Sequence, residues 1–219
     1  LDLAGGTSNG YIFCLSLDAK DPSGEITAPS SGEYVTSPFT FKANATDNGR
    51  VYSVELYIDG RFVGTMICEG NNVWSLTYTF TQGDEGAHTC YSIIYDAAGN
   101  SYQTSSIGFT VDVTPPTVTI TSPADGLYTN ETSVTVTWSG SDNYGIDHYE
   151  VRIDGGSWIN VGTSTSYTFS GLSEGSYIVN VRAIDLAGNV GLEDTTSFRI
   201  DITSPTITIQ SPSEGSVIG

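Results

Sequence analysis

Apolar and polar residues alternate along most of the chain with a period of two, as in β-strands that bury one face and expose the other. The stretch 37–46 shows this clearly, because Phe39, Phe41, Ala43 and Ala45 fall on one side. Further stretches alternate in the same way: 54–58, 74–80, 134–138, 149–153 and 179–183. No window follows the helical period. The pattern therefore predicts an all-β chain of short strands separated by turns.

Short motifs recur along the chain in one order, which indicates an internal repeat. The markers are D-x-A-G-N at 96–100 and 185–189, I-D-G at 58–60 and 153–155, and D-x-T-x-P at 112–116 and 201–205. They delimit two complete units, 19–112 and 113–201. Residues 1–18 read as the last hairpin and strand of a preceding repeat, and 202–219 as the first strand of a following repeat or an assembly strand. We expect the chain to be part of a longer array or a polymer subunit.

These motifs make each unit resemble the bacterial and archaeal Ig-like domains found in tandem on secreted and cell-surface proteins. The resemblance rests on the D-x-T-x-P linker, the S-P-x-x-G start at 122–126 and the D-x-A-G-N hairpin. The first unit departs from it, since its start reads A-P-S-S-G and its linker lacks D-x-T-x-P. The resemblance implies antiparallel β-sandwiches of about seven strands each, arranged end to end.

The charge of the chain excludes two classes of partner. Seven Lys and Arg stand against 25 Asp and Glu, for a net charge of −18. So few cations cannot form a basic surface for nucleic acid or for an anionic membrane. No apolar run is long enough to span a bilayer. We expect an extracellular or cell-surface protein.

Residues suited to catalysis are scarce. The two histidines, His88 and His148, belong to different units, and no nucleophile elbow, zinc-protease or P-loop motif occurs. Glu55 and Glu150 are equivalent positions of two repeats, so they cannot flank one bond. The sequence therefore predicts a protein without enzymatic activity.

Oxygen-bearing side chains recur at the same places in both repeats. The entering linker, the loop between the second and third strands and the last hairpin loop meet at one end of such a sandwich. In the second unit these segments supply Asp112, Asp142, Asn143, Asp185 and Asn189. In the first unit they supply Asp18, Asp21, Asp47, Asn48, Asp96 and Asn100. We predict either Ca²⁺ sites at the domain junctions or turn-forming Asp and Asn residues alone.

Other side chains leave two interpretations open. Asn44 and Asn130 begin N-glycosylation sequons, which also arise by chance in a chain rich in Ser and Thr. Trp74 and Trp138 fall on inward faces. Trp158 and the outward Tyr57, Tyr91 and Tyr95 are either packing residues or a platform for sugars or a partner protein.

The three cysteines differ in their expected surroundings. Cys90 points inward and Cys68 ends a strand, so they form either a disulfide or two separate thiols. Cys14 alternates with the inward Phe13 and Leu15, and its outward thiol suggests pairing with another segment or subunit.

Two functions remain, and their partners differ. The first is a rod of structural repeats acting as a surface stalk, sheath or filament component, with adhesion as a further role. The second is an accessory carbohydrate- or protein-binding region of a secreted hydrolase, for which surface glycans would be partners. Strands 11–17 and 205–209 would join identical subunits head to tail by β-strand addition, or belong to neighbouring repeats of one chain.

Overall fold

The computed structural model describes residues 18–208, 210, 211 and 215. It divides into two compact units between Val113 and Thr114. Each unit consists of two β-sheets, so the prediction of an all-β fold is confirmed. Among the described residues, no helix has the length and apolar character needed to cross a bilayer.

The first unit contains ten strands and one short 3-10 turn, η1. The strands are β1 (Ser23–Ala28), β2 (Tyr34–Val35), β3 (Phe39–Thr46), β4 (Val51–Ile58), β5 (Arg61–Thr65), β6 (Ile67–Gly70), β7 (Val73–Tyr78), β8 (Gly86–Asp96), β9 (Ser101–Gln103) and β10 (Ile107–Val111), with η1 (Gln82–Asp84) before β8. One sheet has the order β1-β3-β7-β6. The other has the order β2-β10-β8-β4-β5, and β9 also pairs with β8.

The second unit contains eight strands in the corresponding arrangement. They are β11 (Thr117–Ser122), β12 (Leu127–Thr129), β13 (Val134–Ser141), β14 (Ile146–Ile153), β15 (Ile159–Asn160), β16 (Ser166–Phe169), β17 (Gly175–Asp185) and β18 (Asp194–Ile200). The sheets have the orders β11-β13-β16 and β12-β18-β17-β14-β15. Most pairs are antiparallel, but β2 and β12 run parallel to β10 and β18.

The alternating residues of the strands form the two cores. In the first unit Phe41, Leu56 and Ile94 are fully buried between the sheets. In the second unit Val136 and Val181 occupy such positions. Burial of this apolar surface is the main favourable contribution to folding.

The recurring I-D-G motif forms the tight turn between β4 and β5 and between β14 and β15. Asp59 and Gly60 have φ of 48° and 76°, and Asp154 and Gly155 have 49° and 69°. Two successive positive φ values define the hairpin turn that matches the twist of the strands, and Asp-Gly tolerates them well. Each Asp side chain also accepts the backbone N–H of a residue on the adjacent long strand.

The first unit has one element that the second lacks. Its sequence is six residues longer in this region, and the extra residues form the edge strand β6 and its turn to β7. Asn71 and Asn72 make the turn with φ of 51° and 64°. Asn is one of the residues that adopt this left-handed conformation most readily.

Candidate metal centre

Three segments of the first unit meet beyond the ends of β3 and β8. They are the incoming chain at Asp18, the loop at Asp47 after β3, and the hairpin 96–100 after β8. The backbone N–H of Ala97 donates to the carbonyl of Arg50 at 3.1 Å, which joins the hairpin to the loop. The Asn100 side-chain amide donates to the Asp18 carbonyl at 3.1 Å, which joins it to the incoming chain.

The carboxylates of Asp18, Asp47 and Asp96 converge where these segments meet. Each offers one oxygen, and the three oxygens lie within 4.8 Å of one another. Asp96 is only 3% exposed, and the other two are half-buried. No ion pair recorded between residues 18 and 208 involves any of the three. Their mutual repulsion is therefore not offset by a protein cation.

Asp47 provides the clearest indication that this cluster fits a cation. Its Oδ2 accepts the backbone N–H of Gly49 at 2.8 Å, but its Oδ1 is buried without a hydrogen-bond partner. A buried carboxylate oxygen in that state is costly unless something positive compensates it. Gly49 keeps space beside it, because a Cβ there would lie 3.0 Å from Asp18 Oδ2 and 3.3 Å from Asp47 Oδ2. An all-oxygen donor set of this kind suits Ca²⁺.

Asp96 also organises its own hairpin. Its Oδ1 accepts the backbone N–H of Ala98 at 2.9 Å and of Asn100 at 2.8 Å, and its Oδ2 accepts the Asn100 amide at 2.6 Å. Burial acts to raise the pKa of Asp96, but these hydrogen bonds outweigh it and the pKa is lowered. Gly99 follows with φ of 95°. The turn-forming role predicted for D-x-A-G-N is confirmed here.

The second unit repeats this hairpin chemistry. Asp185 Oδ1 accepts the N–H groups of Ala187 and Asn189, and its Oδ2 accepts the Asn189 amide at 2.8 Å. In the preceding loop, Asp142 Oδ2 accepts the N–H groups of Tyr144 and Gly145.

The remaining predicted ligands differ in burial. Asp112 is fully buried after β10, and its N–H donates to the Val35 carbonyl at 3.0 Å. Asp21, Asn48 and Asn143 are exposed, and Asp21 lies outside the three-carboxylate cluster of the first unit. The Asn100 amide is already engaged as a donor, which makes Asn100 a residue that positions the cluster.

The aromatic residues considered as a stacking platform mostly pack against protein groups. The Tyr57 and Tyr91 rings stack on each other at 5.0 Å with 4° between their planes, and the Phe62 ring contacts Tyr57 edge-on. Trp158 lies against two guanidinium groups, those of Arg152 and Arg182, each 4.2 Å from its ring centroid. These contacts favour the packing interpretation for Tyr57, Tyr91 and Trp158.

The two glutamates are likewise engaged locally. Glu55 accepts the Tyr57 hydroxyl at 2.9 Å, and this hydrogen bond, with burial, raises the pKa of Tyr57 to about 12. Glu150 pairs with Arg182 at 2.6 Å. Because they belong to separate units, the structure agrees with treating them as repeat equivalents.

The disulfide considered between Cys68 and Cys90 is not formed. Cys68 lies exposed on the edge strand β6, whereas Cys90 is buried on β8 in the other sheet, and both are free thiols. The inward orientation predicted for Cys90 is confirmed. Burial, with a smaller effect of the Asp59 charge, raises the pKa of the Cys90 thiol to about 12. Cys14 lies outside the described residues.

In a Cys14→Ser background, a maleimide should modify Cys68 and leave Cys90 unmodified in the folded chain. The reason is that only the accessible thiolate reacts, and Cys90 is both buried and protonated at pH 8. Intact-mass analysis should show one adduct under native conditions and two in denaturant. Two rapid native adducts would contradict the assigned packing of β8.

Both predicted glycosylation sites are accessible in the structure. Asn44 faces outward on β3, and Asn130 lies in the loop after β12. Their occupancy stays a prediction.

The segments predicted for subunit assembly fall largely beyond what the structure describes. Strand 11–17 and Ile209 lie outside the described residues. Residues 205–208 form no strand, and Ile207 is 90% exposed.

Comparison with protein-family models identifies both units. A model described as bacterial Ig domain matches residues 22–91 and 116–181, which together make up more than half of the chain. The chain belongs to the bacterial Ig domain family. A second model, for bacterial Ig-like domains of group 3, matches residues 72–144 of this bacterial Ig domain protein.

Individual proteins also resemble this bacterial Ig domain chain. Halomucin of Haloquadratum walsbyi is 26% identical over 198 residues, covering 85% of the chain and 2% of halomucin. The fibronectin(III)-like modules of Clostridium thermocellum CbhA superpose with a TM-score of 0.56 at 21% identity, covering 81% of this chain and 94% of theirs. The second likeness supports Ig-like β-sandwiches, and modules of both kinds are typically non-catalytic. Together the family and the halomucin match fit a structural or surface role.

Proposed function

We propose that the two units are non-catalytic structural repeats of a surface stalk, sheath or filament, and that Ca²⁺ stabilises their entering ends. The family assignment supports a structural role outside the cell. The strongly acidic composition, with a net charge of −18, favours a chain that recruits cations.

The observation that carries the calcium proposal is the buried, unpartnered Oδ1 of Asp47 beside two further carboxylates. A bound Ca²⁺ would give this oxygen a partner and relieve the repulsion within the cluster. It would also connect the incoming chain, the loop after β3 and the hairpin after β8. The direction in which the chain enters the unit would then depend on the cation.

The repeat extends the proposal to the second unit. Asp142 and Asp185 of the second unit stand at offsets of 95 and 89 from Asp47 and Asp96. Each has the same place in the motif order, and Asp185 makes the same hairpin hydrogen bonds as Asp96. We therefore expect two sites of similar chemistry in the chain.

Head-to-tail assembly through 11–17 and 205–209 remains part of the proposal. Covering the exposed side chain of Ile207 would favour such assembly, because burial of apolar surface is favourable. Electron microscopy of the purified chain tests it. Filaments that disappear when 1–17 are deleted would support assembly, and a monodisperse monomer under all conditions would contradict it.

Calorimetric titration of the full chain with Ca²⁺ tests the metal proposal directly. We expect two sites with a Kd of about 0.1–1 mM, the range of extracellular calcium modules, and much weaker binding of Mg²⁺. Asp47→Asn and Asp142→Asn should each remove one site. Asp21→Asn is the matched control in the first unit, because Asp21 is exposed and outside the cluster.

Gly49→Ala refines this test without changing any charge. Its Cβ would crowd Asp18 Oδ2 and Asp47 Oδ2, so the carboxylates must move apart. We expect Ca²⁺ affinity of the first site to fall about tenfold, equivalent to about 1.4 kcal/mol. No Ca²⁺ binding by the wild-type chain, or equal binding by all four variants, would refute the proposal.

A further inference from the structure

His88 in the first unit is held at both ring nitrogens. Its Nδ1 lies 2.6 Å from Asp59 Oδ2, in the turn between β4 and β5. Its Nε2 lies 2.7 Å from the backbone carbonyl oxygen of Asp84, at the end of η1. This arrangement lies at the far end of β4 from the loop that carries Asp47.

The two contacts require two donors. A carbonyl oxygen only accepts hydrogen bonds, and so does an ionised carboxylate. A neutral imidazole has one N–H, so it makes one of these contacts and turns a lone pair toward the other acceptor. Only the imidazolium form satisfies both.

His88 thereby connects the turn between β4 and β5 with η1, and the residue after η1 contacts the end of the unit. Asp59 also accepts the N–H of Thr89 on β8. Asp84 fixes η1 by accepting the N–H and the hydroxyl of Thr81. The next residue, Glu85, accepts the N–H of Val113 at the end of the unit. Loss of the hydrogen bond from His88 to the Asp84 carbonyl would weaken this series of contacts at its centre.

The second unit makes the equivalent connection without a titratable group near pH 7. Tyr177 stands 89 positions after His88, and its hydroxyl donates to the carbonyl of Ser173, which stands 89 positions after Asp84. Asp154, the counterpart of Asp59, accepts the N–H of Ile178 just as Asp59 accepts that of Thr89. The contact in the first unit thus requires a protonated histidine, whereas the equivalent contact in the second unit uses a tyrosine hydroxyl.

The surroundings of His88 favour the charged form. Its ring lies near those of Phe80 and Phe109, and the charged groups facing it are Asp59, Asp84 and, across the same cleft, Arg61. Burial acts to lower the pKa of His88, but the hydrogen bonds and charges of Asp59 and Asp84 outweigh it and the pKa is raised above 6.5. A raised histidine pKa adds stability at low pH that disappears as pH rises through the folded value.

We propose that His88 is a protonation-dependent brace that fixes the exit end of the first unit when charged and releases it when neutral. Tyr177 is the permanent counterpart in the second unit. The first unit would therefore loosen at its exit as pH rises, whereas the second would not.

Imidazole nitrogen resonances of the wild-type chain provide the first test. The chain has only two histidines, so one variant assigns both. We expect the titration midpoint of His88 to lie above 6.5, and both of its nitrogens to carry protons below that midpoint. The amide signals of Thr89 and Val113 should follow the same midpoint. A midpoint at or below 6.5, or amides that do not follow it, would overturn the proposal.

An exchange of the two residues provides the second test. His88→Tyr should remove the fall in melting temperature of the first unit as pH rises above 6.5 and through the titration midpoint of His88. Tyr177→His should introduce such a fall in the second unit, because Asp154 stands where Asp59 does. If the melting temperatures of both variants change with pH as those of the wild type do, the proposed role of His88 is contradicted. If a variant folds poorly, the resonances of the wild-type chain provide the test.

Discussion

Adding 10 mM Ca²⁺ to the metal-free chain is expected to raise the melting temperature of the first unit by about 10–20 °C. At the tight end of the expected range, a Kd of about 0.1 mM, 10 mM Ca²⁺ is 100 times the Kd and stabilises the folded state by about 2.7 kcal/mol. For a domain of this size, each kcal/mol corresponds to about 4–8 °C. The effect is expected to be large because the cation would bind three carboxylates that converge only in the folded unit. Differential scanning calorimetry with and without chelator measures it.

Three controls separate this effect from general screening by salt. Mg²⁺ at the same concentration should give a much smaller rise, since it keeps its water and demands a tighter geometry. Asp47→Asn should lose the rise for the first unit alone, and Asp21→Asn should retain it. An equal rise with Mg²⁺ and with all variants would mean that screening of the acidic surface is the cause. An unchanged melt would leave the aspartates as turn residues only.

Phe41→Ala is expected to destabilise the first unit by about 3–5 kcal/mol. The Phe41 side chain is 0% exposed, and its ring packs edge-on against three others. Its ring centroid lies 5.1, 6.2 and 5.6 Å from those of Phe39, Phe80 and Phe109. Truncation leaves a cavity among rings that cannot close around it. Since domains are stable by only about 5–15 kcal/mol, the unit should be close to unfolding at 37 °C.

Denaturant unfolding followed by Trp fluorescence measures this loss. The comparison is Val136→Ala, the position 95 residues later in the second unit, which removes far less volume. We expect a smaller loss there, confined to the second unit. An effect of Phe41→Ala below about 1 kcal/mol would contradict the assigned core, because surface positions change stability by that little.

The repeat and the buried faces of the strands could be predicted from the sequence because both depend on local order. Alternation places Phe41 and Val136 inward whatever the partner strand is, since successive side chains of a strand point to opposite faces. The equivalence of Asp96 and Asp185 followed from motif spacing alone. The hairpin role of these two residues followed from ordinary turn chemistry.

Other features depend on how segments that are distant in the sequence come together, and only the tertiary structure shows these. Only the approach of three loops shows that Asp47 Oδ1 lacks a partner and that Gly49 leaves room beside it. The sequence assigned no role to His88, because its acceptors on Asp59 and Asp84 come from a turn and a backbone carbonyl. It also left the Cys68–Cys90 pairing open, and the structure shows two free thiols, Cys68 exposed and Cys90 buried. A periodic pattern specifies the direction of a side chain, but the distance between two side chains depends on strand register and loop conformation, which the pattern does not contain.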